Sequence, residues 1–245
     1  MQLMVLWWVI MYEFNRKHKG GFNKIFGIGE NKTGTTSLGV ALNVLGCGQM
    51  AAWPQSKHII NGFRSSYTDM FSQMNVVCRM YRHFNDFPWN ILDLYQMLDK
   101  RFINSKFILT VRDPECWFKS LKNWCTVPSG NYTDLMWRIH KNFRRDRRYR
   151  RVIGLFEKCF EQKYGIKSNN GVFRVSEYKD KYIKGYINRN KMIKKYFERR
   201  PNDLLVVNWE DGDGWEELCN FLNRKIPSRR FPHALKRKFN NKYYG

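Results

Sequence analysis

Lys24-Ile25-Phe26-Gly27-Ile28-Gly29-Glu30-Asn31-Lys32-Thr33-Gly34-Thr35-Thr36-Ser37 is the stretch on which the fold of this chain turns. Its first six residues are β-rich and end on glycine, which predicts a short buried strand. From Thr35 to Leu45 apolar residues fall at helical spacing and stop at Gly46, so a helix is expected there. Between the two lies a loop of Gly, Lys and hydroxyl residues. Such a loop suits a phosphate-like anion, because the unpaired N–H groups at the helix start and the helix dipole both favour negative charge. The glycine spacing matches a Walker A loop but the lysine does not: Thr35 stands directly after the second glycine, where Walker A needs lysine, and Lys32 lies two residues before Gly34.

Working outward, strand-like and helix-like segments alternate. Asn75 to Cys78 reads as a second short strand, and Pro88 to Arg101 as a helix with Pro in its first turn and an apolar face of Trp89, Leu92, Tyr95, Met97 and Leu98. Lys106 to Val111 (KFILTV) is the clearest strand, followed by a helix from about Pro114. Basic helical patterns run from Tyr132 to about Tyr164 and from Ser176 to Arg199. Leu204 to Asn208 is a last buried strand, with an amphipathic helix over Gly214 to Leu222. Alternation of this kind predicts a doubly wound α/β domain, a P-loop-containing three-layer α/β/α arrangement around a central, mainly parallel sheet. Ligands in such folds sit at the carboxyl ends of the strands, where the most polar junctions of this sequence fall.

The chain has 245 residues, 43% of them hydrophobic and 16% aromatic, enough for one sizeable core. The expected organisation is an apolar N-terminal segment and basic linker over residues 1–23 and a single domain over 24–245. Residues 1–12 are apolar but too short to span a bilayer, which takes about 20 residues, and they lack the features of a signal peptide. Two readings stand: an element packed on the domain, or contact with a membrane surface from a cytoplasmic domain. The six cysteines are widely spaced with no C-x-x-C pair, which speaks against a zinc site or disulfide framework and for buried reduced thiols. Net charge is +23, from 44 Lys and Arg against 21 Asp and Glu. That field attracts anions of any kind, from nucleotides to nucleic acid, although a broadly basic surface accounts for it as well.

The second polar junction is Arg112-Asp113-Pro114-Glu115-Cys116-Trp117-Phe118-Lys119-Ser120 at the end of KFILTV. Taken with the first, it resembles the PAPS-dependent sulfotransferases, enzymes that use 3′-phosphoadenosine 5′-phosphosulfate. The K-T-G-T-T-S order is similar to their 5′-phosphosulfate loop, and Arg112 with Ser120 eight residues later is similar to their 3′-phosphate site. Asp86-Phe87-Pro88-Trp89, Gly212-Asp213-Gly214-Trp215-Glu216 with Leu218-Cys219, and Phe231-Pro232-His233 extend the likeness from about Lys24 to His233.

The resemblance implies a metal-independent sulfotransferase. Lys32, Thr33, Gly34, Thr35, Thr36, Ser37, Arg112 and Ser120 would hold PAPS, and Lys32 would stabilise the leaving phosphate. Asp86 is the candidate base, with capping of a helix at Pro88 as its alternative; His58 and His83 are further candidates. Glu210 reads as a structural acid beside a basic helix. The family's Trp after the loop is replaced by Leu38, and its Arg-Lys-Gly motif is absent, so the adenine contact stays open. Lys236-Arg237-Lys238 would supply 3′-phosphate contacts or form a solvated tail. The acceptor is unspecified, and the basic helices favour an anionic one. Two other classes remain: a nucleotide-dependent transferase or kinase, which would want an acidic metal-binding residue at a strand end, and a basic nucleic-acid-binding protein, for which no specific signature is present. A fold that has lost its activity is a third.

Overall fold

The computed structural model describes residues 21–48, 50–51, 67–86, 89–125, 161–167 and 175–234. The apolar stretch 1–12, His58, most of the basic helical segment 132–164 and the Lys236-Arg237-Lys238 cluster lie outside them.

Five strands, β1 (Ile25–Gly27), β2 (Met50–Ala51), β3 (His83–Phe84), β4 (Lys106–Thr110) and β5 (Leu204–Val207), form one sheet in the order β2-β3-β1-β4-β5. Every pairing is parallel. The helices are α1 (Thr35–Val44), α2 (Tyr67–Met80), α3 (Leu94–Arg101), α4 (Pro114–Cys125), α5 (Lys179–Phe197) and α6 (Trp215–Leu222).

Strand residues alternate between two apolar layers, as a parallel sheet covered on both faces requires. Phe26, Phe84, Phe107 and Leu109 pack with residues of α2, α3, α4 and α5. Ile25, Ile108 and Val207 pack with Leu38, Ala41 and Leu42 of α1 and with Leu218, Cys219 and Leu222 of α6. The architecture is therefore three-layered, α/β/α. Phe26 is the hub of the first layer, its ring centroid 5.0 Å from Phe84, 5.4 Å from Phe107 and 5.8 Å from Phe102. Burying a side chain of that size is worth about 1.5–3 kcal/mol. Here it also fixes β3, β1 and β4 side by side, and with them the spacing of the loops at their carboxyl ends.

Two expected elements differ. Asn75 to Cys78 is not a strand but the end of α2, and the burial shows why: Met74, Val77 and Cys78 are inside while Val76 is 51% exposed, a helical and not an alternating pattern. The strand lies further on, at His83–Phe84. The helix expected from Pro88 begins only at Leu94, preceded by turns in which Trp89 N–H bonds the Asp86 carbonyl (2.8 Å) and Leu92 has a φ of 33°. Trp89 and Tyr95 are buried all the same, so the apolar signal reflects core packing spread over a turn and a helix. The short edge strand β2 has no sequence signal of its own.

Four cysteines among the described residues, Cys47, Cys78, Cys116 and Cys219, are free thiols, and all but Cys116 are buried. Burial pushes the Cys47 thiol up to about 11 and Cys78 higher, which leaves both protonated and inert. No helix among the described residues is long and apolar enough to cross a membrane.

Candidate functional site

The chain order places β1 between β3 and β4, so the connections that leave it diverge and open a crevice at its carboxyl end. The loop 28–34 lines that crevice. Ile28 N–H still pairs with the Ile108 carbonyl (2.9 Å), after which the chain turns away. Gly29 permits this: a Cβ there would sit 2.1 Å from Thr110 Oγ1 and 2.6 Å from its carbonyl.

Lys32 (φ 75°) and Gly34 (φ 89°) are both left-handed. Left-handed residues alternating with right-handed ones turn successive N–H groups to one side and make an anion-binding concavity. Among the described residues no side chain caps α1 and its own first turn holds no acidic residue, so its end N–H groups stay open to an anion. A non-glycine residue such as Lys32 at positive φ carries strain of about 1–3 kcal/mol.

The loop's hydroxyls divide their work. Thr33 is buried and its Oγ1 bonds the Glu30 carbonyl (2.6 Å) and Thr110 Oγ1 (2.6 Å), locking the loop onto β4. Thr35 Oγ1 donates to Asp86 Oδ1 (2.9 Å), and Ser37 Oγ accepts from Ala234 N–H (3.1 Å). Thr36 alone of the four is exposed. Thr36 is thus the one hydroxyl of the four that the loop leaves at the surface.

Asp86 follows β3 and reaches the loop. Its Oδ1 accepts from Asn31 Nδ2 (3.0 Å) as well as from Thr35, and no described residue bonds Oδ2. Its backbone is left-handed too (φ 62°) and its N–H donates to Asn85 Oδ1 (3.0 Å), while Asn85 Nδ2 donates to the Thr35 carbonyl. Burial pushes the Asp86 carboxyl above its ordinary range, with the Thr35 hydroxyl and the Lys32 charge pulling it partly back. The described bonds of its carboxylate run to Asn31 of the loop and to Thr35 at the start of α1. His83 is packed inside and its Nδ1 lies 3.4 Å from the Cys47 carbonyl. Burial lowers it to about 4, so it is a neutral core histidine.

Arg112 follows β4. Its Nε donates to Glu210 Oε2 (2.7 Å) and its Nη2 lies 2.5 Å from Oε1, a side-on pair that leaves Nη1 unused by any described residue. The sequence pointed to a basic helix as the partner of Glu210; the partner is this arginine instead. The Arg112 backbone is held by Tyr186, whose hydroxyl accepts from its N–H (2.9 Å) and donates to its carbonyl (3.1 Å). Ser120 lies on α4, partly buried, and bonds no described residue. Trp117 on the same helix stacks on Tyr186 (centroids 4.3 Å apart, planes 11° apart) and donates from Nε1 to the Asn31 carbonyl (3.0 Å). Further along α4 the Trp124 ring lies 5.9 Å from Lys32 Nζ.

Glu30 is buried beside two cations, Lys163 and Arg189, the latter at 3.3 Å. Arg189 Nη1 also donates to the Ile28 carbonyl (2.9 Å), so α5 grips the start of the loop. No group of three or more His, Cys, Asp or Glu side chains suited to a metal ion occurs among the described residues.

The fold and this edge define an α/β protein with a nest of backbone N–H groups, a lysine, a half-buried carboxyl and an arginine around one crevice. The chain belongs to the sulfotransferase domain family, whose model matches residues 24–239. It is also similar to Ava biosynthesis cluster protein M of Aspergillus versicolor, 25% identical over an alignment of 141 residues that covers 53% of this chain and 45% of that protein. The chain thus spans about half the length of this curated relative.

Proposed function

We propose that this protein transfers a sulfonyl group from PAPS to a hydroxyl or amine of an acceptor, without a metal ion. The carrying observation is the loop 28–34 and its left-handed Lys32, flanked on one side by the carboxyl of Asp86 and on the other by Arg112. The loop N–H groups, Thr36 and Lys32 receive the 5′-phosphosulfate, and Arg112, with Ser120 on the next helix, receives the 3′-phosphate. Charge grows on the bridging oxygen as its bond to sulfur breaks, and Lys32 stabilises it there.

The acceptor oxygen attacks sulfur in line. The S–O pair of electrons stays with the phosphate to give adenosine 3′,5′-bisphosphate (PAP), and the acceptor proton passes to Asp86 Oδ2. A carboxyl raised above its usual range is the better base for this transfer. Lys163 and Arg189 both contact Glu30 at the end of β1, and cations at that place suit an anionic acceptor. Glu210, the acid that a magnesium-dependent kinase would need, is engaged side-on with Arg112.

Calorimetric titration with PAP, beside ATP with magnesium, tests the reading. PAP should bind, and a Lys32→Ala/Arg112→Ala variant should not bind it. A folded protein that takes ATP with magnesium and ignores PAP would sink the proposal.

A further inference from the structure

β4 leaves the sheet at the residue that matters for the 3′-phosphate. Val111 N–H makes the last ladder bond, to the Val207 carbonyl (2.8 Å). Arg112 then has a backbone N–H and carbonyl with no strand opposite them. Buried or half-buried backbone groups need partners, and here one phenol hydroxyl serves both, accepting at 2.9 Å and donating at 3.1 Å. A tyrosine hydroxyl can do so because it is donor and acceptor at once. Tyr186 in effect adds one rung to the ladder and stops β4 from fraying at Arg112.

The other side of Tyr186 is equally committed. Its ring lies flat on Trp117, and that indole donates to the Asn31 carbonyl within the loop. Asn31 in turn donates to Asp86 and accepts from Asn90 Nδ2 (2.9 Å). Tyr186 and Trp117 are both 1% exposed, so neither can touch a ligand in this state. They nevertheless form a continuous rigid path from the loop to Arg112.

We propose that the stacked pair Tyr186–Trp117 is a positioning unit that sets the separation between the loop 28–34 and Arg112, so that one nucleotide can engage both through its two phosphates. This rests on the PAPS reading of the site. With the Arg112 backbone held by Tyr186 and its guanidinium held side-on by Glu210, only the Nη1 edge stays available for a phosphate. Small errors in that placement lose the second phosphate contact but not the first.

The test compares PAP with adenosine 5′-monophosphate (AMP), which lacks the 3′-phosphate, by calorimetry on the full chain, with thermal unfolding alongside. Wild type should prefer PAP, and Arg112→Ala should remove the preference. Tyr186→Phe keeps the stack but loses both bonds to Arg112; it should cut the PAP-to-AMP affinity ratio about tenfold while AMP affinity holds. Added to Arg112→Ala, it should lower the ratio no further. Trp117→Phe keeps an aromatic stack without the Asn31 bond and should cut the ratio about threefold, an independent reading should Tyr186→Phe fold poorly.

Tyr186→Phe or Trp117→Phe that lowers the melting temperature yet leaves the ratio at its wild-type value would overturn the inference, since packing alone would then explain both residues. So would an equal loss for the two nucleotides. Wild type with no preference for PAP, or Arg112→Ala with the preference intact, would instead overturn the PAPS reading and the inference with it.

Discussion

The loop after β1 and the arginine after β4 lie on the same edge of the sheet but are held in opposite ways. The loop is fixed from inside: Thr33 is buried and doubly bonded, Gly29 touches Thr110, and Asn31 and Thr35 both donate to Asp86. Arg112 is about a quarter exposed and its guanidinium is held by Glu210, itself half exposed. On the proposed function, the difference matches the task of each. Groups that stabilise charge developing at the reacting atom act best when preorganised and dry. A group that binds a distant phosphate can keep its side chain at the surface, provided its backbone is fixed, as Tyr186 fixes that of Arg112. Changes to the exposed side-chain pair of Arg112 should therefore act gently, and changes to the loop or to the Tyr186 clamp sharply.

The largest effect should come from Asp86→Asn, which keeps size and tolerates the left-handed backbone. We expect kcat to fall about 10²–10⁴-fold, the range for losing a general base, without loss of thermal stability. The sign is set by the raised carboxyl: folding favours its protonated form, so ionised Asp86 opposes folding above its unfolded range and a neutral amide does not. An Asp86→Asn enzyme of near-normal kcat would show that the carboxyl plays no part in proton transfer.

Gly34→Ala attacks the backbone of the loop. Gly34 has a φ of 89°, and a Cβ would lie 2.3 Å from Trp209 Cδ1 in a packed aromatic cluster with Phe231. Strain and overlap together should cost on the order of 3 kcal/mol or more, read by urea unfolding. A variant as stable as wild type would mean that Trp209 moves aside freely, and the rigidity ascribed to the loop would go with it.

Acid should loosen the floor beneath the site. His83 is lowered from 6.5 to about 4, so the unfolded chain binds the proton more readily than the folded one. Stability is then full above pH 6.5 and falls as pH drops toward 4, by about 3 kcal/mol at 1.36 kcal/mol per unit. Asp86 works the other way, through protonation that relieves the folded state. Melting curves of wild type and His83→Gln between pH 7 and 4 separate the two, because only the wild type should carry the histidine slope. Smallest of all should be Glu210→Gln, whose exposed pair with Arg112 is worth under about 1 kcal/mol of stability. A larger drop in melting temperature would put the Arg112 side chain among the rigid parts and erase the contrast with the loop.

Much of this edge could be read in the sequence because its information is local. A strand ending on glycine, a lysine, hydroxyls and a helix start occupy fourteen consecutive residues, Lys24 to Ser37, and β4 with Arg112 is similarly continuous. Local spacing could not say what each hydroxyl does: Thr33 and Ser37 fit a phosphate grip as well as they fit the internal bonds they make. Nor could it find partners far along the chain. Tyr186 and Glu210 meet Arg112 across 74 and 98 residues, and nothing in a basic helix marks one tyrosine as a backbone clamp. The mistaken strand at Asn75 to Cys78 has the same root. Four apolar-rich residues carry too little periodicity to separate strand from helix end, and only the exposure of Val76 decides it.

The central position of β1 bears on how the molecule comes to exist at all. Its two partners, β3 and β4, lie tens of residues further along the chain, and no hairpin links any pair of the described strands. Such a sheet has high contact order, so its strands assemble late and together, and folding should be slow for a domain of this size. The crevice is then among the last features to form. A nucleotide that binds only the closed sheet would act as a staple on the whole fold, raising stability by RT ln(1 + [L]/Kd). Slow unfolding in its presence would come from the same strand order that makes the site.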